Sequence, residues 1–589
     1  MLSMMNFNKN SAVIPLWLML TLVVSLQENL TAQEEKFNQN QTLTYQETIA
    51  AYEQLGANSS VARLVQYGPT DSGEPLHLFV LSKDRVFNPA TIEKPVILIN
   101  NGIHPGEPCG VDASLKLAKE LLEGIDQPNS PLNNVVVAII PIYNVGGSLN
   151  RGCCSRANQN GPEAYGFRGN ARNLDLNRDF IKCDSKNAWS FTRIFTQWDP
   201  AIFIDTHTSN GADYQYTMTL IASQHNKMHP ALSSYLNDNM LPHLYGDKSK
   251  PFSMCPYVNT LDKIPDNGIV GFLDLPRYST GYTSLHNTIG FTTEAHMLKP
   301  FKDRVIATHW LLKAIIEKAA ADHTKLTASR ATAKAASQTA TKFDINWTLD
   351  SSDFTQWKFD GYEAQFIQSE VTGKERLRYD RSQPFSKNIP YYNSYRPTVS
   401  VDKPLYYVIP QAWQAVIDRL QLNGVEVKKL KQDISLSGEV YFIDQYETAK
   451  SPYEGHYLHH HTETRTENQT MLFRKGDVVV PVNQTTNNYI VHVLEPSAPD
   501  SYFNWNLFDP ILQQKEWFSS YVFEDEAAEM LAKNPALKME FEQAKKENPR
   551  MRENGFSQLF WLYKHSKNYE PTANRYPVMR LTKATKLPL

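Results

Sequence analysis

Long apolar runs are nearly absent from this 589-residue chain. After one run over about residues 12–24, none approaches the roughly 18 residues that a membrane-crossing helix needs. Cysteine is scarce as well: there are five, and no two form a CxxC pair, which excludes a thiolate zinc site of the finger type. There is no basic excess, since 59 Lys and Arg stand against 62 Asp and Glu for a formal charge of -3. Electrostatic binding of phosphate backbones needs a clustered surplus of cations, so no nucleic-acid partner is expected. No internal repeat of fixed period marks a solenoid. What remains, 41% hydrophobic and 21% charged, is the composition of an ordinary globular protein.

The first residues do carry a message. Lys9, the apolar run, and small and polar residues near Ala32 follow the order of a secretory signal peptide, expected over 1–32. A secreted or periplasmic protein follows, with no stable membrane span after cleavage. Export permits disulfides. Cys153 or Cys154 could pair with Cys183 or Cys255, beside the plainer reading of small buried thiols.

At this length two or three folded units are expected. Between residues 94 and 200, short β-branched runs alternate with helical patterns, and PVILIN, NVVVAIIPIY and AIFID read as buried central strands. Val111, Leu115, Ala118 and Leu122 recur at helical spacing, which predicts an amphipathic helix over 110–122. Another helix is predicted over 304–319, and the small-residue stretch 324–342 reads as a linker or a fraying helix end. Beyond it, short alternating runs such as EVYFID, DVVVPV and YIVHVL predict a β-rich accessory domain, and ALKMEFEQAKKEN and FSQLFWLY predict helices near the end. The expected architecture is an α/β domain at 40–322 with a mixed sheet and helices on both faces. A linker at 323–342, a β-rich domain at 343–522 and a helical region at 523–589 follow.

The chemistry concentrates in four places. In ILINNGIHPGEPCG, His104 and Glu107 stand three apart after a strand, in a Pro-Gly turn that can bring both side chains to one point. An imidazole and a carboxylate are two of the three protein ligands of a catalytic His2Glu zinc. In FIDTHTSNG, His207 ends another strand, and side chains leaving the carboxyl ends of neighbouring strands meet in the crevice where open α/β sheets bind their ligands. RGNARNLDLNRDF offers Asn177 and Arg178, an amide and a planar donor fork suited to a free carboxylate. IGFTTEAH places Glu294 on a strand among small and apolar neighbours, where it can serve as a general base.

In this order and spacing, HPGE, LDLNRDF, DTH and GFTTE resemble the M14 zinc metallocarboxypeptidases of the carboxypeptidase A type, over roughly residues 45–319. The resemblance implies one zinc ion per chain on His104, Glu107 and His207, with Glu294 as the catalytic glutamate. It implies that Asn177 and Arg178 hold the carboxylate of peptide substrates with a free carboxyl end, and that Asp175 orients a zinc-bound imidazole. For the arginine that polarises the scissile carbonyl, Arg156, Arg168 and Arg172 compete, and Arg168, nine residues before Asn177, fits best. Tyr278 and Tyr282 are the candidates for a substrate-capping tyrosine. With only a short interval between Gln33 and Tyr45, no propeptide is evident, and constitutive activity is expected. The alternatives are an amidase or deacylase acting on cell-wall peptides or acyl amino acids, and an inert binder of peptides or glycans.

Other polar clusters read more plainly. His459, His460 and His461, with only Glu463 nearby at ligand spacing, read as a solvated strand or loop. His296 shares a strand face with Glu294 and reads as a hydrogen-bonded wall. The aromatics around Tyr391, Tyr392 and Tyr395, and around Tyr502, Phe503 and Trp505, read as core packing.

Overall fold

The computed structural model describes residues 36–247 and 249–589, so the expected signal peptide lies outside the described residues. Among them no helix is long and apolar enough to cross a membrane. The described chain divides into two units. One comprises 36–340, 344–400 and 422–424, and the other 341–343, 401–421 and 425–589.

In the first unit the β-branched runs become strands because they are buried on both faces. An antiparallel pair, β1 (Ala62–Pro69) and β2 (Pro75–Leu81), leads into β3 (Val96–Asn100), β4 (Val136–Ile140) and β5 (Ile202–Ser209). The strands β6 (Met218–Ala222), β7 (Met254–Pro256) and, after the short β8 (Ile269–Val270), β9 (Ile289–His296) complete an eight-stranded sheet of order β1-β2-β4-β3-β5-β9-β6-β7. The centre, β4-β3-β5-β9, is parallel, and β2-β4 and β9-β6 are antiparallel, so the sheet is mixed as expected. Every residue of β3, β4 and β5 is buried.

The helices α1 (Tyr45–Ala57), α2 (Cys109–Glu123), α3 (Lys186–Trp198), α4 (Ser279–Leu285) and α5 (Phe301–Ala321) follow the predicted apolar stripes where these were legible. Helix α2 lies so close to β5 that a Cβ built on Gly110 would fall 1.9 Å from Thr206 Oγ1. The small-residue stretch read as a linker or a fraying helix end is a full helix, α6 (His323–Thr339). Its alanines favour helix, and Arg330 pins it by donating to the Asp199 carboxylate and to the Asn287 carbonyl.

Two further differences concern the region expected to be a separate β-rich domain. The ladder of β10 (Lys342–Leu349) with β13 (Tyr395–Asp402) encloses a hairpin, β11 (Thr355–Gln368) and β12 (Glu375–Tyr392), that belongs to the first unit. Tyr391 and Tyr392 of β12 pair with Ile269 and Val270 of β8, and the Gln215 side chain donates to carbonyls of both hairpin strands. The run YIVHVL, read as a strand, lies in a helix, α7 (Asn487–Leu494), in the second unit. All six of its residues are buried, and a short run that is apolar on every side carries no period to tell helix from strand.

The second unit is built on a six-stranded sheet, β15-β18-β14-β19-β16-β17. These strands are β14 (Tyr406–Ile409), β15 (Lys428–Lys429), β16 (Ile434–Thr448), β17 (His459–Phe473), β18 (Val478–Pro481) and β19 (Met579–Leu581). Tyr502, Phe503 and Trp505 are buried in it. The predicted terminal helices are present as Ser520–Lys533, Pro535–Glu547 and Gly555–Lys564.

Candidate active site

Three adjacent parallel strands, β3, β5 and β9, end on one side of the sheet, and the polar residues singled out in the sequence gather there. His104 and Glu107 occupy the turn after β3, closed by a hydrogen bond from the Glu107 N–H to the His104 carbonyl at 2.8 Å. His207 lies near the end of β5, directly in register with Glu294 on β9. One donor atom from each of His104, Glu107 and His207 lies within 4.8 Å of the others, and all three side chains are buried.

Each donor is held from behind. His104 Nε2 is 2.9 Å from Asp175 Oδ1, and Asp205 Oδ2 is 3.1 Å from His207 Nε2. Asp205 in turn accepts from Asn100 Nδ2 at 3.0 Å. The two inward nitrogens, Nδ1 of each ring, face the Glu107 carboxylate at 3.3 and 3.2 Å. The Thr208 N–H also donates to that carboxylate at 2.7 Å.

These contacts test whether a metal fits. Burial opposes the charge of Asp175, but His104, Arg168 and Arg178 outweigh it and hold its carboxyl well below the usual range. Asp175 accepts from His104 Nε2, and a ring that commits a single proton to that bond turns the lone pair of Nδ1 inward. That buried atom has no hydrogen-bond partner and points at another acceptor, Glu107. A cation between them reconciles the two, and two imidazoles with one carboxylate form the donor set of catalytic zinc. The residues fit the ion.

The loop carrying Asn177 and Arg178 is set by a buried network just beyond it. Asp179, fully buried, accepts from Lys182 Nζ at 2.8 Å and from the N–H groups of Asp184 and Ser185 at 2.9 and 3.0 Å. Arg178 lies over the Tyr278 ring, 4.6 Å from its centroid, and both line a cavity of about 410 Å³ together with Asn177, Arg168, Glu294 and the three donors.

The competing arginines separate. Arg156 donates from Nη1 to Glu107 Oε1 at 2.6 Å, and Arg168 donates from Nε to Asp175 Oδ2 at 3.0 Å; both line the cavity. Arg172 is turned away and bonds the Asp184 carbonyl. Tyr282 also departs from expectation: it is fully buried among Phe180 and Phe195, with its hydroxyl on Asn423, because α4 turns it into the core. Tyr278 at the start of that helix is the one that faces the cavity.

Burial pushes Glu294 up to about 7, with His207 opposing and Glu107 reinforcing the shift. Tyr257, which no motif marks, lines the same cavity, and burial beside Glu294 and Glu107 pushes its phenol up. His296 is buried and hydrogen-bonded, its Nε2 donating to the Ala212 carbonyl at 2.9 Å, and is not among the cavity-lining residues. Among the cysteines, Cys153 and Cys154 are bonded to each other, not to Cys183 or Cys255. Those two and Cys109 are buried free thiols.

Residues 48–250 match the zinc carboxypeptidase family, Peptidase M14, which bears out over that stretch the resemblance carried by the motifs. The match includes the three donors and the Asn177–Arg178 pair, and Glu294 lies beyond it. No curated protein matches the chain. Similar solved structures include a metallo-carboxypeptidase from Burkholderia cenocepacia, at 17% identity and a TM-score of 0.36, covering 48% of this chain and 70% of that one. Another is the Pseudomonas aeruginosa metallo-carboxypeptidase in complex with (2-guanidinoethylmercapto)succinic acid, at 14% identity and 0.37, with coverage of 48% and 70%. A third is carboxypeptidase A from Helicoverpa armigera, at 15% identity and 0.35, with coverage of 52% and 82%.

Proposed function

We propose that this chain is a zinc metallocarboxypeptidase that removes residues from the carboxyl ends of peptides outside the cytoplasm, with one zinc ion on His104, Glu107 and His207. The observation that carries the reading is the convergence of that donor set, Glu294 and the Asn177–Arg178 pair on one cavity. A zinc ion bound there supplies Lewis acidity, activating a water and polarising a carbonyl.

The chain's own residues do the rest. Glu294 accepts the proton of the attacking water and passes it to the leaving amine, a task for which a carboxyl raised to about 7 is suited. Arg178, steadied by the Tyr278 ring, and Asn177 hold the terminal carboxylate and so decide which bond lies over the donor set. Arg168 is 44% exposed and reaches the cavity, where its donors can meet the oxyanion. Asp175 keeps the His104 ring in one tautomer and orientation.

The test is a double-mutant cycle on matched peptides with free and amidated carboxyl ends. Amidation removes charge-assisted hydrogen bonds, so wild-type cleavage should fall about tenfold or more. Arg178→Ala should be slow on the acid and nearly indifferent to amidation. A coupling energy near zero would show that Arg178 does not read the carboxylate. An amidase would show no acid preference in the wild type, and a binder would cleave neither peptide.

A further inference from the structure

The triple histidine in the second unit divides: His460 and His461 are solvated on a strand as expected, and His459 is not. His459 is buried and structural, between Thr448 Oγ1 at 2.9 Å and Asp509 Oδ1 at 3.0 Å. His460 and His461 project into solvent, where adjacent residues of a regular strand would point to opposite faces. The strand is not regular here. Gln445 pairs with Glu463 and Glu447 pairs with His460, so His461 and Thr462 together oppose Tyr446 alone, and His461 takes a φ of 50°. This β-bulge, with a non-glycine residue in the left-handed region, swings the second imidazole to the side of the first. The two ring centroids are 4.9 Å apart.

The partner that the sequence could not supply comes from the facing strand. The Glu447 carboxylate lies 3.4 Å from His460 Nε2 and 3.1 Å from His461 Nδ1. Glu463, the acid nearest in sequence, is not part of the group. His460 Nδ1 is 3.0 Å from the Glu447 carbonyl, which can only accept, so the proton sits on Nδ1. The other nitrogen, Nε2, then faces a carboxylate oxygen at 3.4 Å. A metal ion between them suits that pairing of a nitrogen lone pair with a carboxylate.

We infer that Glu447, His460 and His461 form a second metal site, for a divalent transition ion such as zinc or copper. One nitrogen of each ring and a carboxylate oxygen already lie within 4.8 Å of one another. Rotation of these exposed side chains closes that spread to the span of a shared ion, and imidazole with carboxylate is the donor chemistry that zinc and copper accept. The site is independent of the His104 centre and does not rest on the proposed peptidase activity. A bound ion would clamp β16 to β17 where their ladder is broken.

The experiment is metal counting on the full chain by equilibrium dialysis against micromolar zinc, for wild type, His461→Gly and Glu447→Gln. Glycine tolerates the left-handed φ, so that variant removes the imidazole and leaves the bulge, and circular dichroism checks that both variants fold. One ion fewer per chain in each variant than in wild type is the expected result, whatever the occupancy of the His104 centre. Equal counts in all three proteins would overturn the assignment.

Discussion

Asp112 sits in the first turn of α2, five residues beyond Glu107, with none of its surface exposed. Burial raises its carboxyl from 3.8 to about 7, because the hydrogen bond donated by Thr42 Oγ1, the Leu43 backbone and the more distant Arg151 and Lys36 only partly offset the loss of water. A group whose folded value is raised favours the fold fully below its unfolded value, and that contribution is lost as pH rises through the folded value. The window therefore runs from about pH 4 to about pH 7. Between about pH 5 and about pH 7.5, this one carboxyl should remove about 2.5 kcal/mol of stability, at about 1.4 kcal/mol per unit of separation. Asp112→Asn keeps the oxygen that accepts from Thr42 and cannot ionise. Urea unfolding of both proteins at the two pH values, followed by tryptophan fluorescence, isolates the term, since other titrating groups are common to both. The variant should gain on wild type by about 2.5 kcal/mol as pH rises. Parallel pH dependence in the two proteins would refute the reasoning, and would mean that water or a cation reaches the carboxyl.

Glu294→Gln should keep zinc and peptide binding while turnover falls by about a hundred- to ten-thousand-fold, since the amide cannot take the proton; a near-normal rate in a peptide assay would assign the base elsewhere. His104→Ala, Glu107→Ala and His207→Ala should each lose the ion of that centre with the melting curve retained, because its folding rests on a large core and not on the metal. Full occupancy in the His207 variant, read by metal analysis, would sink the donor assignment.

The parts legible in sequence were those whose chemistry is local. Strands β3, β4 and β5 announced themselves as apolar runs. The pairs His104–Glu107 and Asn177–Arg178 each stand on one turn, so their neighbourhood could be read directly. The misses have a common physical cause: the deciding contact lies far along the chain. Helix α6 is tied by Arg330 to Asp199, 131 residues away. Tyr282 turns inward because Asn423 waits there, 141 residues on. Glu447 reaches its histidines across a hairpin whose bulge no pattern predicts. Tyr257 enters the cavity from the residue just past β7, with no motif at all.

Gly110 bears on the proposed metal centre without belonging to it. Glu107 lies in the turn that leads into α2, and His207 follows Thr206, the residue against which Gly110 is pressed. The bite of the donor set, the gap its two halves leave for an ion, is thus gauged by a side chain that is not there. A methyl group at 110 would act as a shim between helix and strand, prising the donor residues apart while each kept its identity. Loss of metal would then trace to a residue with no donor atom of its own.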